Sequence, residues 1–243
     1  MVKVPYNKET LIHPLFYDAV LNTAIRGIVR YRGGLTVYGE ENIKDLPGPH
    51  IVASNHESGF DVAPLAIAYK DVAKKRINFV GKKELYNMVP YFKPASYIVG
   101  SFFSAVGIFP IDREDKRMIW DQIETINHIG RVITAGSVLG IFSEGTRNSG
   151  QDHLDLDRKN IKIGTAILAS MYSIPIVPAG IHGTAKDHHH EISVAFGTPI
   201  DVEKIDVEEL KTMRIRDVVK FFQPITDQLY EGMNSAHRLA VSV

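Results

Sequence analysis

Apolar residues near the start of the chain recur at spacings of three and four. Leu11, Ile12, Leu15, Phe16, Val20, Leu21, Ala24, Ile25, Ile28 and Val29 line one face of a helix predicted over residues 11–32. Arg26, Arg30 and Arg32 gather at its end, where cations suit the helix dipole, and Gly33-Gly34 stops it. Such a helix either packs on a core or dips into a membrane interface with its arginines near lipid phosphates. After Gly34 the pattern changes to short apolar runs separated by amphipathic stretches. Strands are predicted at Leu35–Tyr38, Ile51–Ala53, Ile77–Val80, Ile108–Ile111, Val138–Phe142, Pro175–Ile181 and Ile192–Phe196. Helices are predicted at Val62–Tyr69, Lys82–Met88, Ala95–Ala105, Arg117 to Ala135, Lys162–Met171 and Val207–Tyr230, and Asn148–Asp157 reads as a polar loop. This alternation predicts an α/β fold: a largely parallel sheet covered by helices on both faces, with an N-terminal amphipathic helical appendage. The boundaries are 1–34 for the appendage and 35–243 for the α/β domain. In such sheets, sites form where strands end and loops begin.

Composition narrows the chemistry. With 44% hydrophobic and 23% charged residues, the chain reads as an ordinary globular protein. The absence of Cys excludes disulfides, thiolate zinc sites and a Cys nucleophile, and fits a reducing compartment. Basic and acidic residues balance at 28 each, so nothing global points to nucleic acid. The charge is uneven, however: residues 1–100 carry 13 basic and 9 acidic residues, and residues 101–243 carry 15 and 19. The N-terminal part is therefore suited to an anionic surface, although a bias of this size also arises by chance. No signal peptide is visible, and the longest uncharged windows are broken by Pro and Gly, so any membrane contact is expected to be peripheral.

Four segments place polar groups at the ends of apolar strands. In the first, His56 follows Ile51-Val52-Ala53 and precedes Asp61 by five residues. Imidazole accepts a proton near neutral pH, and a carboxylate on its other nitrogen fixes the tautomer. The plainer reading is that Asp61 caps the following helix. With no Cys and no Gly-x-Ser-x-Gly elbow, a catalytic His56 would activate a hydroxyl or water brought by the substrate. In the second, Arg113 follows the strand Ile108–Ile111, where its guanidinium suits a phosphate or else pairs with Asp112, Glu114 or Asp115. The third is Phe142-Ser143-Glu144-Gly145-Thr146-Arg147. Its Gly lets backbone amides approach a ligand, Arg147 offers a phosphate contact and Glu144 a hydroxyl contact; the alternative is a tight turn with a local ion pair. The fourth, Ile176-Val177-Pro178-Ala179-Gly180-Ile181, has no side-chain chemistry and reads as a pocket wall or plain core. The run Asp187-His188-His189-His190 reads as a solvated loop rather than a metal site.

Taken together, in this order and spacing, the four segments resemble the glycerolipid acyltransferase family, and most of all its 1-acyl-sn-glycerol-3-phosphate acyltransferases. His56 and Asp61 match its His-x4-Asp block, and Arg113 the Arg that ends its second block. Phe142, Glu144, Gly145, Thr146 and Arg147 match Phe-x-Glu-Gly-Thr-Arg, and Val177-Pro178 the apolar fourth block. Lys82-Lys83-Glu84-Leu85 looks like the family's Lys-x-x-Leu segment.

The resemblance implies transfer of a fatty acyl group from acyl-CoA or acyl-carrier protein to a hydroxyl of lysophosphatidate at the cytoplasmic face of a membrane. No metal or other cofactor is implied. His56 would be the general base and Asp61 its orienting partner. Lys82, Arg113 and Arg147 would hold the acceptor phosphate, with Glu144, Gly145 and Thr146 beside it. Rival readings are the same chemistry on glycerol 3-phosphate or another lysophospholipid, a thioester hydrolase, and a non-catalytic lipid-binding protein.

Overall fold

The computed structural model describes Thr23 and residues 25–82, 108–111, 129–130, 133, 136–145, 147, 155–185 and 190–242, with Lys82 and 108–111 as backbone only. In chain order the elements are α1 (Arg26–Tyr31), β1 (Leu35–Tyr38), α2 (Glu41–Lys44), β2 (Ile51–Ser54), α3 (Val62–Ala73), β3 (Ile77–Lys82), β4 (Ile108–Ile111) and β5 (Val138–Phe142). There follow α4 (Gly164–Tyr172), β6 (Ile176–His182), β7 (Ile192–Phe196), α5 (Val207–Thr212) and α6 (Ile215–Val241). The strands form one sheet in the order β1-β7-β6-β2-β5-β3-β4. Every neighbouring pair is parallel except β6 and β7. The expected α/β architecture with a largely parallel sheet is therefore present.

β2 lies at the centre, and all four of its residues are buried. Ile51 and Ala53 point into one apolar layer with residues of α4 and α6; Val52 points into the other with α3. A strand buried on both faces has no polar side, which is why Ile51–Ala53 reads as an unbroken apolar run. Ser54 lies opposite Phe142 of β5 and Ala179 of β6, so β2 and β5 finish side by side while β6 runs on to His182.

The long helix α6 covers β6. Its buried positions, Val218, Phe222, Thr226, Leu229, Met233, Ala236 and Ala240, follow the three-and-four spacing of one helical face. It crosses β6 at Gly180, where an added Cβ would come 2.3 Å from the backbone nitrogen of His237. Only Gly permits that approach, and the approach brings His237 beside the end of β6.

Several boundaries differ from the sequence-based reading. The helical region expected over 207–230 is two helices, because Met213 and Arg214 are both extended (ψ 144° and 150°), and α6 runs on to Val241. α3 extends to Ala73, ending at Lys74 in a left-handed conformation. β3 runs on to Lys82, and residues 83–88 of the helix expected at Lys82–Met88 lie outside the described residues. Of the helix expected over 11–32, the turn Arg26–Tyr31 is described. It packs through Val29 onto the layer that holds α3, and Arg26 pairs with Asp71. Gly33 and Gly34 stop it with φ of 120° and 100°, as expected. The helix expected at Ala95–Ala105 lies outside the described residues, as does most of Arg117 to Ala135. No helix among the described residues is long and apolar enough to cross a membrane.

Candidate active site

The segment after β2 is anchored first by Asn55. Its buried side chain donates to Ile181 O at 2.9 Å and accepts from Ile181 N at 2.7 Å. It thus gives β6 both bonds of a strand partner where β2 itself has ended. The backbone N–H of His56 then donates to Glu144 Oε2 at 2.7 Å, which ties the loop to the end of β5. Glu144 is reached through a tight turn at Gly145, whose φ of 72° suits Gly and whose N–H bonds Phe142 O at 3.1 Å.

Asp61 is completely buried. It occupies the N-cap position of α3, but its side chain makes no capping bond to that helix. It turns back into its own loop. Oδ2 accepts from His56 Nδ1 at 2.6 Å, Glu57 N at 2.8 Å and Ser58 N at 3.0 Å. Oδ1 accepts from Ser58 Oγ at 3.2 Å and from the Thr184 hydroxyl. An oxygen already accepting two backbone N–H groups acts toward His56 as an acceptor too, so Nδ1 carries the proton and Nε2 the lone pair. The imidazole stacks on Phe142, with ring centroids 4.2 Å apart and planes 13° apart. Its side chain remains 16% exposed. No described residue hydrogen-bonds Nε2, so the basic nitrogen is available to a substrate proton.

Arg147 lies on the same loop's outer side. A Cβ built on Gly59 would sit 3.3 Å from its Nη2, so the guanidinium lies against the loop at Gly59, between His56 and Asp61 in sequence. The structure thus brings together His56, Asp61, Glu144, Gly145 and Arg147. The backbone of Lys82 ends β3, two strands from β2 in the sheet. Arg113 and Thr146 lie outside the described residues, as do Asp187, His188 and His189.

A second polar group stands behind the first. Glu57 Oε2 accepts from the N–H of Thr184 at 3.1 Å and lies 3.2 Å from its hydroxyl. Glu57 Oε1 is 3.3 Å from His182 Nδ1. Burial pushes the Glu57 carboxyl up, but the hydrogen bond and field of His182, the field of His237 and the Thr184 amide outweigh it and leave it below the ordinary range. Glu57, His182 and His237 bring possible metal-ligating atoms within 4.8 Å of one another. Glu57 already spends both oxygens on His182 and Thr184, so hydrogen bonding accounts for its place there.

Thr184 and His182 were not anticipated, since β6 was read as a wall without side-chain chemistry. The available signal was the polar step His182-Gly183-Thr184 at the end of an apolar strand, the same signal that marked His56.

The sequence model of the family described as Acyltransferase matches residues 34–182. The chain is 29% identical over 160 residues to a 1-acyl-sn-glycerol-3-phosphate acyltransferase of Bacillus subtilis, covering 66% of this chain and 68% of that protein. It is 25% identical over 182 residues to the chloroplastic 1-acyl-sn-glycerol-3-phosphate acyltransferase LPAT1 of Arabidopsis thaliana, covering 71% of this chain and 45% of that one. The chain thus spans about two thirds of the bacterial relative and less than half of the plant one. In three dimensions it resembles the crystal structure of the 1-acyl-sn-glycerophosphate acyltransferase PlsC from Thermotoga maritima. The TM-score is 0.50 at 18% identity, over 94% of this chain and 83% of that one, a likeness of fold.

Proposed function

The chain belongs to the acyltransferase family, and from that premise we propose that it acylates the sn-2 hydroxyl of 1-acyl-sn-glycerol 3-phosphate, using acyl-CoA or acyl-carrier protein and giving phosphatidic acid. The observation that carries this reading is the fixed His56–Asp61 pair with an open Nε2, in a loop against which the Arg147 guanidinium lies at Gly59.

His56 Nε2 takes the proton of the acceptor hydroxyl as its oxygen attacks the thioester carbonyl carbon. Asp61 holds Nδ1–H and stabilises the imidazolium. The C–S bond then breaks, and the imidazolium returns the proton to the departing sulfur. No enzyme nucleophile is needed, in keeping with a chain without Cys. General-base catalysis of this kind contributes roughly 10²–10⁴ in rate. Arg147, with Lys82 and Arg113, holds the acceptor phosphate and so positions the hydroxyl; Gly145 and Thr146 lie beside it. Glu144 positions the base through the His56 amide and lies where the glycerol part of the acceptor would enter. The acceptor is membrane-borne. Exposed Ile28 and Tyr31 beside Arg30 on α1 support docking on a membrane surface, which we take to be the cytoplasmic face.

The test supplies acyl-CoA and acyl-carrier protein with lysophosphatidate, lysophosphatidylcholine or glycerol 3-phosphate, and identifies the products. Phosphatidic acid, lost in His56→Ala, is expected. Free fatty acid as the main product, unaffected by lysophosphatidate, would make the protein a hydrolase.

A further inference from the structure

Asp61 is held by two kinds of donor. Oδ2 takes three N–H groups, all from the loop that Asp61 itself closes. A carboxylate held at one oxygen still pivots about it, even in a loop anchored elsewhere through Asn55 and the His56 amide. Oδ1 has one donor from that same loop, Ser58 Oγ at 3.2 Å. Its other donor is Thr184, 123 residues away, two residues after the end of β6.

Thr184 is itself buried and fixed on three sides. It is 2% exposed, so water does not replace it. Its carbonyl accepts from Arg32 Nη2 at 2.9 Å, and the Arg32 guanidinium lies 5.2 Å from the centre of the Phe60 ring. Its N–H goes to Glu57 Oε2 at 3.1 Å. Its hydroxyl lies within reach of two carboxylate oxygens, Asp61 Oδ1 and Glu57 Oε2, but carries one proton. The contact to Asp61 is the closer. Glu57 Oε2 already receives the Thr184 amide, and Glu57 Oε1 faces His182. The hydroxyl proton therefore goes to Asp61.

We propose that Thr184 is a positioning residue for the reaction: its hydroxyl fixes the plane of the Asp61 carboxylate to the end of β6, so that His56 Nε2 faces the acceptor. Glu57, held by His182, fixes the peptide of Thr184 that presents this hydroxyl. The inference rests on His56 acting as the general base.

The test compares Thr184→Val, Thr184→Ser and Thr184→Cys in the full chain, with lysophosphatidate and acyl-CoA as substrates and thermal unfolding as the check on folding. One hydrogen bond to a charged group corresponds to roughly a 10- to 100-fold effect. The Val variant should lose kcat by about that factor, with both KM values within about twofold of wild type, and the Ser variant should recover to within about threefold. A Val variant with kcat within about threefold of wild type overturns the proposal. So does a loss that Ser does not restore, since that points to the methyl group and to packing. Should the Val variant not fold, the thiol of Cys is the weaker donor: kcat about fivefold or more below the Ser variant supports the proposal, and equal values overturn it. His56→Ala, run alongside, tests the general-base reading separately: activity above about a tenth of wild type removes that reading whatever the Thr184 variants do.

Discussion

Replacing Asp61 by Asn removes one charge from the site and almost nothing else. The amide oxygen can take the place of Oδ2 and accept from His56 Nδ1, Glu57 N and Ser58 N. The amide NH2 then faces Ser58 Oγ and Thr184 Oγ1, and hydroxyl oxygens accept as well as donate. No buried donor is orphaned and the His56 tautomer is unchanged, so the unfolding temperature should move by only a few degrees. In the proposed reaction the His56 imidazolium then loses its counter-charge. With His56 Nδ1 2.6 Å from the carboxylate oxygen, the charge centres are about 4 Å apart, and at an effective dielectric of about 20 their attraction is about 4 kcal/mol. Because the proton is only partly transferred in the transition state, kcat should fall roughly 10²- to 10³-fold, at about 1.4 kcal/mol per tenfold. Asp61→Ala is the contrasting change. It leaves the part-buried Glu57 and Ser58 amides without that acceptor, at up to about 1 kcal/mol each, and should destabilise the fold as well as stop turnover. The assay is steady-state acyl transfer at saturating lysophosphatidate, paired with thermal unfolding of each variant. A well-folded Asp61→Asn enzyme retaining more than a tenth of the wild-type kcat would refute the electrostatic role given to this carboxylate.

Two further outcomes follow from the structure. Arg147→Ala should raise KM for lysophosphatidate roughly tenfold, the lower end for a charged contact at an exposed site, with little change for the thioester; an equal rise for both substrates removes its phosphate role. The third outcome concerns His50, whose Nε2 is paired with the Tyr69 hydroxyl at 2.7 Å and whose burial lowers its pKa to about 4. Between about pH 6.5 and 4 the unfolded chain binds this proton and the folded one does not, so stability is lost as pH falls through that window. His50→Gln lacks this dependence. The stability gap between wild type and variant should therefore narrow by about 3 kcal/mol from pH 7 to pH 4, measured by denaturant unfolding; a constant gap contradicts the assignment.

The strands were legible because a sheet buried on both faces needs apolar runs, and Gly and Pro marked their ends. Pro178 did not mislead, although it removes a donor from the interior strand β6; its carbonyl still accepts from Gly197 N at 2.7 Å. The end of α6 was not legible. Gly232, Asn234 and His237 look like the start of a polar tail. In the fold, Gly232 packs against Pro178 and Asn234 accepts from Leu156 N at 2.8 Å. His56 and Asp61 were legible as a pair because the sequence brings them together. The alternative of Asp61 as a helix cap was decided only by its side chain turning into the loop. For Thr184 the local signal was a polar step after an apolar strand, but its partner was not legible, because that depends on β6 lying beside β2, a pairing that no local pattern encodes.

The bond between the His56 amide and Glu144 has a consequence for how such an enzyme can diversify. It couples the proton-accepting loop to the loop bearing Arg147, so a substitution that shifts one drags the other. On the proposed reading, a change at Glu144 that altered acceptor preference would also shift the base. The room for change lies instead where the chain leaves β3 and β4, after Lys82 and around Arg113. Lineages taking up new lysolipids would be expected to keep residues 55–61 and 142–147 and to rewrite those two stretches.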